Sequence, residues 1–437
     1  MAAVLLGCVG CRSTQERADP TVGSSRSDTT GSPSVRPSST VSARRAKTIQ
    51  VPLDAPTIQA AVDSSAPGDL ILIAPGTYFE SVVADTENIV IRGLDRNTVV
   101  LDGRFELDNG ILAQANGIAI ENLTVRNFLV NGVLFTKAFK DDGQTYANPT
   151  DRPQLSGYRV SYVTTYNNEQ YGIYAFFATN GQIDHSYASG HPDSGFYIGQ
   201  CKPCNAVITD SIAEANAIGY QGTNASGNTY IVNSVWSRNR VGITPNSQDM
   251  EKLAPQGDVV VAGNLVEDGN DPNTPEAAKG AYGIGIAVGG GTRDFVLRNR
   301  IRRNVAVGIL VSDLNQFLPD SNRVEGNVLE QNGIDLVYEI ASTPGTGETY
   351  GNCFAANSFQ NSLPANIETL LSCSGKTPSP LSIPQREVVN PPPGVDYQTM
   401  PAPPPQASMV NAATQPASPA TNMPMKIDVA SIVVPAG

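Results

Sequence analysis

Several things are scarce in this 437-residue chain. It has two histidines, and basic residues are outnumbered 29 to 41, for a formal net charge of −12. That balance argues against nucleic acid as a partner and disfavours an anionic membrane surface. An acidic polysaccharide would need a local basic patch to bind. No apolar run approaches the ~20 residues that cross a bilayer as a helix, and none has the length and period of a core helix. No histidine stands at metal-site spacing from Cys201-Lys202-Pro203-Cys204, and the acidic residues show no calcium-loop spacing. No metal or cofactor is therefore expected.

What is abundant is repetition. A glycine followed by an apolar residue recurs at Gly132-Val133, Gly172-Ile173, Gly195-Phe196, Gly219-Tyr220, Gly242-Ile243, Gly283-Ile284, Gly308-Ile309 and Gly333-Ile334. The pairs lie about two dozen residues apart, apart from two longer gaps, which is the signature of stacked units. A second echo precedes them: Ile120-Glu121-Asn122-Leu123, Val160-Ser161-Tyr162-Val163, Ile183-Asp184-His185-Ser186, Ile208-Thr209-Asp210-Ser211, Ile231-Val232-Asn233-Ser234, Ala262-Gly263-Asn264-Leu265, Arg298-Asn299-Arg300-Ile301 and Glu325-Gly326-Asn327-Val328. A third column reads Asn127, Asn168, Asn216, Asn239, Asn304 and Asn332.

Each unit holds short β-branched runs broken by Asn, Gly, Asp and Ser, as expected for three short strands and three turns. Stacked coils would pair each strand in parallel with its copy, ~4.8 Å away. Asparagine at a repeated turn tolerates the left-handed conformation and can bond its copy in the next coil. The expected fold is all-β: a single-stranded right-handed parallel β-helix (solenoid). A short N-terminal capping helix, Thr57 to Ser65 with Ile58, Ala61 and Val62 on one face, should precede it. Right-handedness follows from the crossover rule and from the resemblance described next.

After Thr57-Ile58-Gln59-Ala60 come Gly68-Asp69, Pro75-Gly76-Thr77-Tyr78, Asn88 to Gly93 and Thr98 to Gly103. This block resembles the amino-terminal block of the pectin-lyase-like β-helix superfamily. The resemblance implies fold more than activity, since lyases, hydrolases, epimerases, esterases and non-enzymes share it. Gly76-Thr77-Tyr78-Phe79-Glu80 resembles the first pectin-esterase motif, but the later signatures of that family are missing. His191-Pro192-Asp193 carries the residue types of an Asp-Pro-His motif in reverse order, so no role is transferred from it.

Three parts are expected. Residues 1–47 read as a signal or lipobox remnant with a Ser/Thr/Pro spacer, 48–375 as the β-helix, and 376–437 as a Pro-rich disordered tail with a terminal strand near Lys426 to Pro435. Leu5-Leu6-Gly7-Cys8 resembles a bacterial lipobox with Cys8 as the lipid anchor, and Cys11 is a second candidate. This points to export into a bacterial envelope, lipid-anchored or secreted. In that setting Cys201, Cys204, Cys353 and Cys373 read as two disulfides, Cys201–Cys204 and Cys353–Cys373.

Both histidines fall in one unit. His185 aligns with Asn122 and Asn233, and His191 with Asn168 and Asn216. One reading puts imidazole in asparagine slots of the turns. The other breaks the ladder to place acid–base groups, with Asp184, His185, His191, Asp193 and Asp210 as catalytic candidates. Tyr174, Tyr187, Tyr197, Tyr220 and Arg298 are the substrate-binding candidates. Insertions at about 138–157 and 267–280 should wall a groove on one flank. The expected function is binding, and modification of lyase, epimerase or hydrolase type, of a polysaccharide or envelope glycan by a monomer. The alternative is a non-catalytic solenoid binding glycan or an envelope protein.

Overall fold

The computed structural model describes residues 44–138, 153–249, 252–276, 281–343, 345–375 and 381–437. Cys8 and Cys11 lie outside these residues, as does most of the first insertion. Among the described residues the chain winds into three parallel sheets of twelve, eleven and ten strands, with one two-stranded antiparallel ribbon. One chain thus builds a three-sided wall. In one coil, Ala178–Asp184 belongs to sheet A, Tyr187–Ser189 to sheet B and Ser194–Gly199 to sheet C.

Parallel, in-register stacking turns sequence columns into side-chain columns. In sheet A, Ile71, Ile91, Ile120, Val160, Ile183, Ile208, Ile231 and Val261 pair in succession, each buried. β-branched side chains suit this pleated, enclosed surface. In sheet C the second residue of six of the eight Gly-apolar pairs points inward, as in Ile173, Phe196, Tyr220 and Ile243, while in the coils of Gly283-Ile284 and Gly333-Ile334 the inward residues are Ile286 and Leu336. In sheet B, Ala188 and Ala213 lie below Trp236 in one column. The small residues leave room for the indole, whose ring meets Phe196 at 5.8 Å and Tyr220 at 6.2 Å, edge-on in each case.

At the amino-terminal end, helix Ile58–Asp63 buries Ile58, Ala61 and Val62 against the first strands. Thr57 caps it by accepting from Ala60 N, and the Glu80 carboxylate accepts from Ile58 N and Gln59 N, each at 3.0 Å.

Five of the expected quartets, from Ile120 to Asn233, are in register, but the last three are shifted, by one residue at Gly263 and Gly326 and by two at Arg298. Strand pairing sets Ile231 beside Val261, so Gly263, not Asn264, matches Asn233. At the A–B corner the left-handed positions are Asn122, Tyr162, His185, Asp210, Asn233, Gly263, Arg298 and Gly326. The ladder is built by the residue after each. Ser186, Ser211, Ser234, Asn264, Asn299, Asn327 and Asn357 each accept from the backbone N–H one coil earlier. Glu368 in the last helix ends the series, taking the Asn357 N–H at 2.8 Å. The B–C corner repeats the device: Asn168, His191, Asn216 and Asn239 follow left-handed Asn167, Gly190, Ala215 and Arg238. Asn127, expected in this ladder, is itself left-handed and bonds Asp102 instead.

The tail departs from what its composition suggests. Leu381–Ile383 pairs antiparallel with Gly345–Gly347, and the rest packs along the outside of the solenoid. The Lys426 to Pro435 segment docks back, but as extended chain with a 3-10 turn at Val429–Ser431 rather than a strand. Arg298 and Arg300 hold this segment by donating to the carbonyls of Val429 and Pro435. As a result, outward-pointing residues of sheet A such as Arg92, Glu121, Ser161, Asp184, Thr209 and Val232 are buried. The structure joins Cys201 to Cys204 and Cys353 to Cys373.

Candidate functional site

The catalytic candidates do not converge. Strand Tyr187–Ser189 separates Asp184, His185 and Asp210, at the A–B corner, from His191 and Asp193, at the B–C corner. His185 projects outward, its side chain 46% exposed, and its ring stacks on Tyr162 at 4.6 Å. Its Nδ1 lies 2.9 Å from Asp184 Oδ1, and this bond raises the histidine pKa. Burial alone would raise Asp184, but bonds from His185, Ser161 and Gln182 outweigh it and hold the carboxyl below its usual range. Gln182 also accepts from Met425 N of the tail at 3.0 Å, so the tail passes beside this carboxylate.

His191 is fully buried as a rung of the B–C ladder. With the ring proton on Nε2, Nδ1 accepts the Asn168 N–H at 3.3 Å and Nε2 faces Thr165 Oγ1 at 3.3 Å. Burial pushes its pKa down to about 4, so the ring is neutral at pH 7. This is the asparagine-slot arrangement.

The substrate-binding candidates also part company. Tyr220 points into the core beside Trp236 and cannot face an external ligand. Tyr187 donates to Glu214 Oε2 at 2.6 Å on the outer side of sheet B. Arg298 donates to the carbonyl of Val429 in the tail. The neighbouring arginines are matched with acids: Arg293 with Asp258, Arg300 with Glu330, Arg302 with Glu267 and Arg303 with Asp268. That face is therefore not a free basic patch.

Tyr174, Tyr197 and Asp193 do come together, on the outer face of sheet C. Tyr174 lies 4.4 Å from Tyr171, 4.7 Å from Tyr197 and 5.6 Å from Phe176, ring centre to ring centre. Tyr174 and Phe176 are half-buried. Asp193 enters the sheet beside them, taking a hydrogen bond from Ser194 Oγ at 2.8 Å and another from Tyr171. Burial pushes its carboxyl up to about 6. A carboxyl titrating there exchanges a proton near neutrality.

The same face continues into polar rungs that the sequence reading missed. Ser194, Gln221, Thr223, Thr244 and Asn246 point outward, yet they are almost fully buried. Ser194 Oγ lies 3.1 Å from Gln221 Oε1, and Gln221 Nε2 donates to Thr223 Oγ1 at 3.2 Å. Both side-chain polar atoms of Asn246 are buried without a partner, as is Oδ1 of Asn131. Buried amide groups ordinarily find partners. The signal was in the register: Gln221 and Thr223 sit one and three places beyond inward Tyr220, Thr244 and Asn246 one and three beyond inward Ile243, and Ser194 just before the Gly195-Phe196 pair. The described ends of both insertions adjoin this sheet. The first leaves the end of strand Asn131–Phe135, and the second enters strand Ile284–Gly289.

Comparison with known proteins adds the following. No curated protein matches the chain significantly. Among solved structures, an alginate lyase from a Paenibacillus species is similar at 15% identity, covering 71% of this chain and 99% of its own, with a TM-score of 0.43. A pectate lyase covers 85% of this chain and 91% of its own at 14% identity and TM-score 0.45. The A-module of a mannuronan C-5 epimerase from Azotobacter vinelandii covers 70% and 92% at 15% identity and TM-score 0.36. Residues 154–289 match the family described as the right handed beta helix region. With the three stacked parallel sheets, that match makes the solenoid a right-handed parallel β-helix, the architecture of the superfamily its amino-terminal block resembles.

Proposed function

We propose that this protein binds a polysaccharide along the outer face of sheet C, between the rung of Tyr174 and that of Asn246. The observation that carries this reading is one face of four adjacent strands of sheet C, with half-buried aromatics at one end and buried, unpartnered amide atoms of Asn246 at the other. A sugar offers the apolar C–H face and the hydroxyl groups that such a surface lacks. Asp193, with its pKa pushed up to about 6, is the group best placed to move a proton on the bound chain. Exported, lipid-anchored placement through Cys8 fits a ligand of the envelope and belongs to the same proposal.

The test is binding of uronate and neutral polysaccharides by affinity electrophoresis, with product release followed in parallel. Tyr174→Ala and Asn246→Ala should each weaken binding about tenfold, or ~1.4 kcal/mol. Asp193→Asn should keep binding and abolish any product. Binding without product in the parent protein selects the non-catalytic form. The proposal fails if no polysaccharide binds, or if both substitutions leave binding unchanged.

A further inference from the structure

The tail is held as a ligand is held. From Leu381–Ile383 it runs back toward the amino-terminal coils, meeting Arg240, then Asn167, then Arg96 and Asn122. It then turns along sheet A and returns past Arg92, Arg159 and Gln182 to Arg298 and Arg300. One chemistry recurs among these contacts, arginines of the solenoid donating to main-chain carbonyls of the tail, while Asn122 and Gln182 instead accept from Met409 N and Met425 N. Arg92, 2% exposed, gives Nη1 to Ala412 O and Gln415 O at 3.2 and 2.7 Å and Nη2 to Pro416 O at 3.1 Å. Arg159 reaches Ser418 O at 2.8 Å, Arg300 Pro435 O at 2.9 Å, and Arg240 Pro392 O at 2.8 Å.

An extended proline-rich chain has unsatisfied carbonyls and few donors. The planar, five-donor guanidinium groups of Arg92 and Arg159 on sheet A and of Arg298 at its corner with sheet B are the complementary donors for residues 404–437. Two apolar anchors complete it. Ala417 packs on Leu70, Val90 and Ala119, and Ile432 on Val232, Ala262 and Leu297. The wall is relieved where the tail crosses: a Cβ on Gly157 would lie 2.4 Å from Ala420 O, and one on Gly263 2.4 Å from Ile432 Cγ2. Residues 404–437 contribute neither to the three stacked sheets nor to the main core.

We propose that the outer face of sheet A is a recognition track for an extended proline-rich chain. Residues 404–437 are its resident ligand, and the same segment of a second copy can replace them. The contacts read main chain more than side chains, so the track does not distinguish its own tail from another. Tethering favours the resident tail by effective concentration, and exchange becomes visible when that tail is disabled.

The test uses the full chain carrying Ala417→Asp and Ile432→Asp, which places charges in both apolar anchors without touching the solenoid. In the parent, limited proteolysis within 404–437 should be at least tenfold slower than in the free peptide. In the variant it should approach the free-peptide rate while the solenoid stays intact. A fluorescent peptide of residues 404–437 should bind the variant saturably and the parent at least tenfold more weakly. The same peptide carrying both aspartates should bind neither. If the double variant aggregates, Ile432→Asp alone gives both readouts. The proposal is overturned if the parent's tail is cut as fast as the free peptide. It is also overturned if the natural peptide binds neither protein, or binds no better than the aspartate peptide.

Discussion

The corners on either side of sheet B carry the two histidines, and they treat them oppositely. At the A–B corner, His185 occupies the left-handed position, faces solvent and stacks on Tyr162. At the B–C corner, left-handed Gly190 comes first and His191 follows, buried in the ladder. The pKa of His185 is raised by Asp184, and that of His191 is lowered by burial. One residue of offset from the left-handed turn decides whether a side chain joins the surface or the ladder. The ladder role therefore belongs to the corner geometry rather than to asparagine, since serine, asparagine and histidine all serve in it.

Acid should separate the two corners most. The unfolded chain protonates His191 near 6.5 and the folded chain at about 4. The stability tied to this ring is complete above 6.5 and falls as pH drops through that window, by about 3 kcal/mol at pH 4. Asp193 acts in the other direction, its contribution fading as pH rises through about 6, so the effect should be read as a difference between proteins. Melting curves of the parent and His191→Asn should coincide near pH 7, with the variant gaining progressively toward pH 4. Equal acid sensitivity would remove His191 from the buried ladder.

Next in size is the ladder itself. His191→Leu leaves the Asn168 N–H without its acceptor and should cost about 2 kcal/mol, whereas His191→Asn restores the acceptor and should cost little. Thermal or denaturant unfolding at pH 7 checks the ordering, and equal losses would contradict it. At the end of the other ladder, Glu368→Ala strips the acceptor from Asn357 N–H and Nδ2, each at 2.8 Å, for about 1 kcal/mol. Glu368→Gln should recover most of it.

The smallest effect belongs to the exposed histidine. His185→Asn keeps a residue that tolerates the left-handed turn and should cost about 0.5 kcal/mol. A histidine whose folded pKa is raised adds stability below 6.5 and loses it as pH rises through the folded value. The deficit of His185→Asn should therefore be seen at pH 5 and vanish at pH 8. A pH-independent deficit would mean that Tyr162 stacking, not the Asp184 bond, is what the histidine supplies.

Much of this molecule was legible in its residues. The Gly-apolar spacing identified the stacked coils, and the stretch Thr57 to Ser65 located the first helix, Ile58–Asp63. Even cysteine count and order foresaw both joined pairs. The limit of the site reading was register. Asp184, His185, His191, Asp193 and Asp210 are near one another in sequence, but a three-sided coil distributes nearby residues to different corners. Tyr220 and Tyr197 look alike in the chain, yet pairing turns Tyr220 into the core and Tyr197 outward. The polar rungs Gln221, Thr244 and Asn246 carried no motif, because stacking alone makes them a surface.

By itself, then, the chain's local order determined the repeat, because each coil is specified by short-range turn chemistry and by apolar residues at fixed spacing. Only the tertiary structure decided what covers that wall. The tail's composition says extended and poorly self-structured, which is true of its backbone. Its place on sheet A depends on Arg92 and Arg159, more than 250 positions away, which stacking sets on one face and matches to carbonyls of an extended chain that has no internal partners for them.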